Sequence, residues 1–112
     1  MNFEITASAD RDIKAAVKES ARLFGRVQAS AYAALVSRAI AMVAEQPEWP
    51  GSISKSELRP GVRSFHLELA AGRQGAASHY LYYRLGPLRN GTTGVVILRV
   101  LHERMDPNLR LT

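Results

Sequence analysis

The 112-residue sequence has no cysteine. That excludes a disulfide framework, a thiolate zinc site and a cysteine nucleophile. Lysine is scarce: Lys14, Lys18 and Lys55 are the only three, and just one follows residue 18. Aromatic residues make up 7%, with a single tryptophan, Trp49. The apolar stretches of residues 31–44 are interrupted by Ser37 and Arg38, so no unbroken run approaches the roughly 20 residues that a membrane span needs. Glu4, Asp10, Asp12 and Glu19 stud the first 25 residues, where a secretory leader would need an apolar centre. A leader and a membrane span are therefore not expected, and a cytoplasmic location is. Acidic residues are in the minority, at 10 against 15 Lys plus Arg.

What is present fits one domain over residues 1–112. Two full cores do not fit in this length. A hydrophobic share of 46% and a charged share of 22% exclude disordered and collagen-like chains. The net charge of +5 is unevenly spread. Residues 1–50 hold six bases and six acids, which cancel; residues 51–112 hold nine bases and four acids. Eight of those nine bases are arginine, and His66, His79 and His102 lie there too. Such asymmetry points to an anionic or acidic partner without naming it.

Hydrophobic spacing divides the chain. Residues 3–6 alternate, with Phe3 and Ile5 on one face of a short strand. Ser8, Asp10 and Asp12 are helix-start residues. Ile13, Ala16, Val17, Ala21 and Phe24 follow at helical spacing, and Gly25 is a natural stop. A second helix is predicted over 27–46. Its stripe is Tyr32, Leu35, Val36, Ala39, Ile40 and Val43. The two helices are close enough in sequence to form an antiparallel hairpin, so residues 1–46 read as a short strand plus a helical pair. Residues 47–61 carry Pro47, Pro50, Gly51, Pro60 and Gly61 and read as a long loop, with Trp49 packing it back onto the domain.

From Val62 the period is two. Phe65, Leu67 and Leu69 alternate with Ser64, His66 and Glu68, which puts His66 on a solvent-facing side. Residues 70–78 read as a loop. Residues 79–85 form a second strand, with Leu81, Tyr83 and Leu85 toward the core. Asn90-Gly91 is a hairpin signal. With no leader expected, Asn90-Gly91-Thr92 reads as a turn and not a glycosylation site. Residues 95–101 are apolar on both faces, as in a central strand. Residues 62–102 thus form an antiparallel meander, and 103–112 a polar tail. The expected architecture is α+β, in the order β-α-α-β-β-β, with a helical hairpin on a small antiparallel sheet.

Three segments carry a family resemblance. They are Glu57-Leu58-Arg59-Pro60-Gly61-Val62-Arg63-Ser64-Phe65, Tyr82-Tyr83-Arg84, and Ile97-Leu98-Arg99-Val100-Leu101-His102-Glu103-Arg104-Met105-Asp106-Pro107. Together they resemble the ParE branch of the RelE/ParE superfamily, the toxin halves of bacterial type II toxin–antitoxin pairs. The resemblance covers nearly the whole chain. Residues 70–78 depart from it, like an insertion between strands that most relatives join more tightly, and residues 86–94 are long for a simple turn. It implies a RelE/ParE-like fold and a toxin that inhibits DNA gyrase and replication. It also implies a ParD-like antitoxin that neutralises the toxin in a hetero-oligomer. No cofactor, no metal and no membrane are implied, and nucleic acid is met only through gyrase. The enzyme alternative within the superfamily is a ribosome-dependent mRNA endonuclease; a further alternative is a non-toxic binding module. Fold by itself does not separate these.

The candidate residues follow from chemistry. Metal-free RNA cleavage needs a base, phosphate clamps and an acid. His66 or His102 could serve as base, and Arg63, Arg84 and Arg99 as clamps. The scarcity of lysine counts against this, since the superfamily's nucleases are lysine-rich near that site. No catalytic residue is therefore assigned. Partner contact is the expected role of Arg63, His66, Tyr80, Tyr82, Arg84, Arg99, His102 and Arg104. Arg63, Arg84 and Arg99 would form a positive stripe if strand register aligned them. Tyr80 and Tyr82 could stack on a partner, while Tyr83 belongs to the core. Arg99, in an apolar strand, would need a buried partner if it were structural.

Overall fold

The computed structural model describes residues 1–111. The chain runs β1 (Phe3–Ile5), α1 (Ala7–Phe24), α2 (Arg26–Glu45), β2 (Ile53–Ser54), β3 (Arg63–His66), α3 (Glu68–Ala71), β4 (His79–Pro87), β5 (Thr93–His102) and α4 (Pro107–Arg110). The α+β architecture is as expected: the two long helices pack on one face of a sheet.

Helix α1 starts earlier than its acidic residues suggest. Its cap is Thr6, whose Oγ1 accepts the Ala9 N–H at 3.0 Å. The same hydroxyl donates to the Leu98 carbonyl at 2.9 Å, so the cap also ties α1 to the sheet. Gly25 alone separates α1 from α2. Its φ of 89° and ψ of 177° lie in a region essentially restricted to glycine. Its N–H bonds Ala21 O and its carbonyl accepts from Ala29 N–H, so one residue serves both helix ends. Helix α2 buries Val36, Ala39, Ile40 and Val43 as its stripe predicts. It is also long and apolar enough, by length and composition, to span a membrane. That exceeds the sequence expectation, because its many alanines count as apolar. In this fold its buried face is core.

The sheet has five strands in the order β1-β5-β4-β3-β2. Two of them enlarge the expected meander. β1 pairs parallel with β5, Phe3 opposite Val95 through Ile5 opposite Ile97. β2 arises inside the stretch read as a loop, pairing Ile53 with Ser64 and Ser54 with Arg63. Trp49 packs this stretch against the core, as expected. β3 is shorter than its alternation implied. Leu67 N–H still bonds His79 O, but the chain then turns into α3, which ends on Gly72 at φ 69°. The stretch 70–78 is therefore partly helical, with Ala70 and Ala77 buried. The β4–β5 connection turns at Asn90, whose side-chain oxygen accepts from Thr92 N–H and Oγ1.

Register along β4 and β5 shifts between two pairs. Tyr82 faces Arg99, whereas Tyr83 faces Ile97, which leaves Leu98 as the extra residue of a bulge. A shift of one residue exchanges faces. Val95, Ile97 and Val100 therefore join Phe65, Leu81 and Tyr83 under the helices. Leu98 and Leu101 join Val62 and Tyr82 in a smaller core on the other face. This is why residues 95–101 are apolar throughout. Leu111 closes that second core, so the tail is not simply polar. Asp106 caps α4 by accepting from Asn108 N–H at 2.9 Å, with Pro107 in its first turn. Leu85 departs from its expected core position and is 50% exposed.

Gly25→Ala should destabilise the fold by about 1–3 kcal/mol. A Cβ at Gly25 meets nothing within 4 Å, so the cost is backbone strain alone. Urea unfolding reads it; an unchanged midpoint would refute the strain.

Candidate functional site

The sequence-derived candidates fall into three places. The first is the free edge of β5. β1 pairs only with residues 95–97, so from Leu98 onward that edge lacks a strand. The start of α1 runs along it instead. Thr6 N–H donates to Ile97 O at 3.1 Å. The Asp12 carboxylate accepts Val100 N–H at 3.0 Å, where a strand would have offered a carbonyl. The same carboxylate takes Arg99 Nε at 2.7 Å and Nη2 at 2.9 Å, a bidentate pair. Arg99 Nη1 donates to Arg110 O at 2.9 Å. The side chains of Arg99 and Asp12 are only 20% and 15% exposed. The hydrogen bond to Asp12 holds the Arg99 pKa above its usual value. Arg99 is thus tied into the fold, with a partner that sequence spacing did not indicate.

The second place is the β3–β4 end near β2. Cross-strand partners share a face. Arg63 lies opposite Tyr83 and hence on the helix-bearing side. Arg84 and Arg99 lie on the other, opposite Val96 and Tyr82. The three arginines therefore do not form one stripe, because alternation on β4 and the bulge on β5 separate them. Arg63 is held by Ser52, from Nη2 to Oγ at 2.8 Å. Neither Arg63 nor Arg84 has a carboxylate within 4.0 Å among the described residues.

The third place gathers the histidines at the opposite end of β3, β4 and β5. His66 is not solvent-facing; its side chain is 12% exposed. Its Nδ1 accepts Glu68 N–H at 3.1 Å, which leaves Nε2 as the protonated nitrogen that donates to Glu103 Oε2 at 3.1 Å. That hydrogen bond lowers the Glu103 pKa. Tyr80 meets the His66 ring edge-on, with centroids 4.7 Å apart. Tyr82 is 5% exposed and belongs to the second core, so it is no stacking platform. Burial raises its pKa. His102 pairs across the strands with His79, their centroids 5.2 Å apart. Its Nδ1 accepts Arg104 N–H at 3.1 Å, and Arg104 itself is exposed.

His79 and Tyr32 complete this cluster, although neither stood among the sequence candidates. Tyr32 Oη accepts Ser78 N–H and donates to His79 Nδ1 at 2.5 Å. Burial, then the neighbouring His102, lowers the His79 pKa to about 4. His79 is therefore neutral near pH 7. His79, His102 and Tyr32 line a cavity of about 440 Å³ under Phe24, between the helical hairpin and residues 75–78. The sequence signal was the strand-end position of His79 opposite His102, but only register reveals the pairing. Among the described residues, no group of three or more His, Asp and Glu side chains is placed to hold a metal ion.

Two outcomes follow. Asp12→Ala should cost about 3 kcal/mol or more in urea unfolding, because it strands a mostly buried guanidinium. Asp12→Asn should cost less, since its amide oxygen can still accept Val100 N–H; equal losses would refute that dual role. For His79, protonation is opposed in the folded state, so its contribution is complete above its ordinary pKa of 6.5. It falls as pH drops from 6.5 and is gone below about 4. His79→Gln should flatten the stability profile across that window. An NMR midpoint for His79 near 6.5 would overturn the assignment.

A buried ion pair, a cationic second half of the chain and a histidine–tyrosine cluster do not by themselves specify one chemistry. Comparison with known proteins narrows the choice. The family model described as "ParE toxin of type II toxin-antitoxin system, parDE" matches residues 3–107. No curated protein matches the chain. The matched span includes both long helices and all five strands, and the chain belongs to the ParE family of type II toxin–antitoxin toxins.

Proposed function

We propose that the chain binds DNA gyrase in the cytoplasm and blocks replication without catalysing a reaction, and that a ParD-like antitoxin sequesters it in a hetero-oligomer. Nucleic acid is then met only through gyrase. Membership of the ParE family supports the toxin role and an antitoxin partner. The state of His66 carries the choice of a binding mode over a nuclease. Its Nδ1 is occupied by a backbone N–H and its Nε2 by Glu103. A general base needs a free, basic nitrogen within reach of the substrate hydroxyl. Lysine scarcity points the same way: Lys55 is the only lysine outside α1.

One observation favours the endonuclease alternative. His66, Tyr80 and Glu103 converge at one sheet end, where Arg104 is exposed. If Glu103 swung away, these residues would supply a base, a stacking ring and a cation.

Expression without an antitoxin separates the two. Gyrase supercoiling and transcript integrity are measured in parallel. The expected result is inhibited supercoiling with intact transcripts. Cleaved transcripts with normal gyrase would sink the proposal. In that case His66→Gln should lower cleavage by about 10²–10⁴-fold, the usual contribution of a general base or acid.

A further inference from the structure

Part of the histidine cluster takes no part in the proposed function. His79 and His102 line the cavity of about 440 Å³ beside Phe24. Small-molecule sites commonly have volumes of about 300–1,000 Å³. The apolar part of the lining is Leu23 and Phe24 of the hairpin tip, with Ala76 and Ala77 facing them from the β3–β4 connection. Ala77 is buried, whereas the Phe24 ring is 69% exposed and leaves an aromatic surface in water at the rim.

Hydrogen bonding fixes the tautomer of both imidazoles. His79 Nδ1 accepts from Tyr32 Oη at 2.5 Å, because that hydroxyl already accepts Ser78 N–H. His102 Nδ1 accepts Arg104 N–H at 3.1 Å. A neutral imidazole whose Nδ1 accepts carries its proton on Nε2. Each Nε2 is therefore a donor. Neither has a hydrogen-bond partner among the described residues, and neither is sealed from solvent.

This donor pair defines the ligand. A metal ion would need the Nε2 lone pairs, which these tautomers do not offer. Among the described residues no arginine or lysine lines the cavity, and the carboxylate that does, Glu19, would repel an anion. Glu19 is itself paired with Arg22, so a cation finds no free carboxylate there. What fits is a neutral acceptor. A carbonyl has two lone pairs, one for each N–H. Ser20 and Gln28, on the same lining, can accept an amide N–H.

We propose that this cavity binds a small, neutral aromatic amide or lactam, its carbonyl accepting from the Nε2–H groups of His79 and His102 and its ring lying against Phe24. Such a ring takes apolar surface out of water and stacks on an exposed aromatic side chain. The site is independent of gyrase and antitoxin, so its failure would leave the proposed function standing.

The test uses the isotope-labelled full chain and benzamide as the probe. Controls are benzoate, Zn²⁺ and a short single-stranded oligonucleotide. Long-range ¹H–¹⁵N spectra read the imidazole tautomers first; both rings should carry the proton on Nε2. Millimolar benzamide should then shift the Nε2 signals of His79 and His102 and the amides of Phe24 and Ala77, and bind at least about tenfold tighter than benzoate. His102→Phe, which keeps a ring and removes the donor, should weaken benzamide by about two- to tenfold. Phe24→Ser, at an exposed position, should also weaken it. No shift with benzamide, or equal or tighter binding of benzoate or Zn²⁺ at the two rings, would overturn the proposal. Shifts there with the oligonucleotide and none with benzamide would replace it with nucleic-acid binding. Should His102→Phe fail to fold, Phe24→Ser and the comparison of benzamide with benzoate on the unaltered chain still decide.

Discussion

The Asp12 carboxylate is the joint between the two halves of this fold. It accepts the Val100 N–H that no strand is present to receive, and it neutralises Arg99 through two further bonds. β1 is three residues long and stops beside Ile97. Without Asp12 and the Thr6 cap, the following edge of β5 would present unpaired backbone groups against α1. The local bulge makes this edge harder to satisfy with a regular strand, since Leu98 interrupts the ladder there. A helix start that supplies side-chain oxygens solves a problem that a longer β1 could not.

The same joint redistributes charge. The first half of the chain is neutral by count, yet two of its acids face bases of the second half: Asp12 with Arg99 and Glu4 with Arg89. Asp10 and Glu19 are taken up within α1 by Lys14 and Arg22. These are exposed pairs of small energetic weight. The cations left without carboxylates include Arg63, Arg84 and Arg104, at opposite ends of the sheet. The positive charge is therefore spread over the molecule and is not a single positive face. A partner that reads it has to span the sheet or choose an end.

For a toxin family, this division has a functional consequence. One end offers three histidines, a tyrosine and a cavity beneath the hairpin tip. The other offers two arginines and an open strand edge. A fold does not by itself fix a function, which is why function is argued from individual ring nitrogens and guanidinium groups and not from the sheet.

Much of the architecture was legible in local pattern. The α2 stripe, the Gly25 break and the two-sided apolar run of β5 depend on periodicity and on one residue's backbone freedom, which adjacent residues encode. The short strands β1 and β2 were harder, because a two- or three-residue strand exists only through its neighbour; β2 has no apolar alternation of its own to announce it. The sequence alone established a single cysteine-free α+β domain with a cationic second half, and its family was visible in three spaced segments. Tertiary structure alone decided which arginines were free. Register separated Arg63 from Arg84 and Arg99, and an acid 87 residues away claimed Arg99. It also buried Tyr82, turned His66 largely away from solvent and paired His79 with His102. Those outcomes depend on cross-strand register and long-range packing, which a one-residue bulge reverses and no local spacing records.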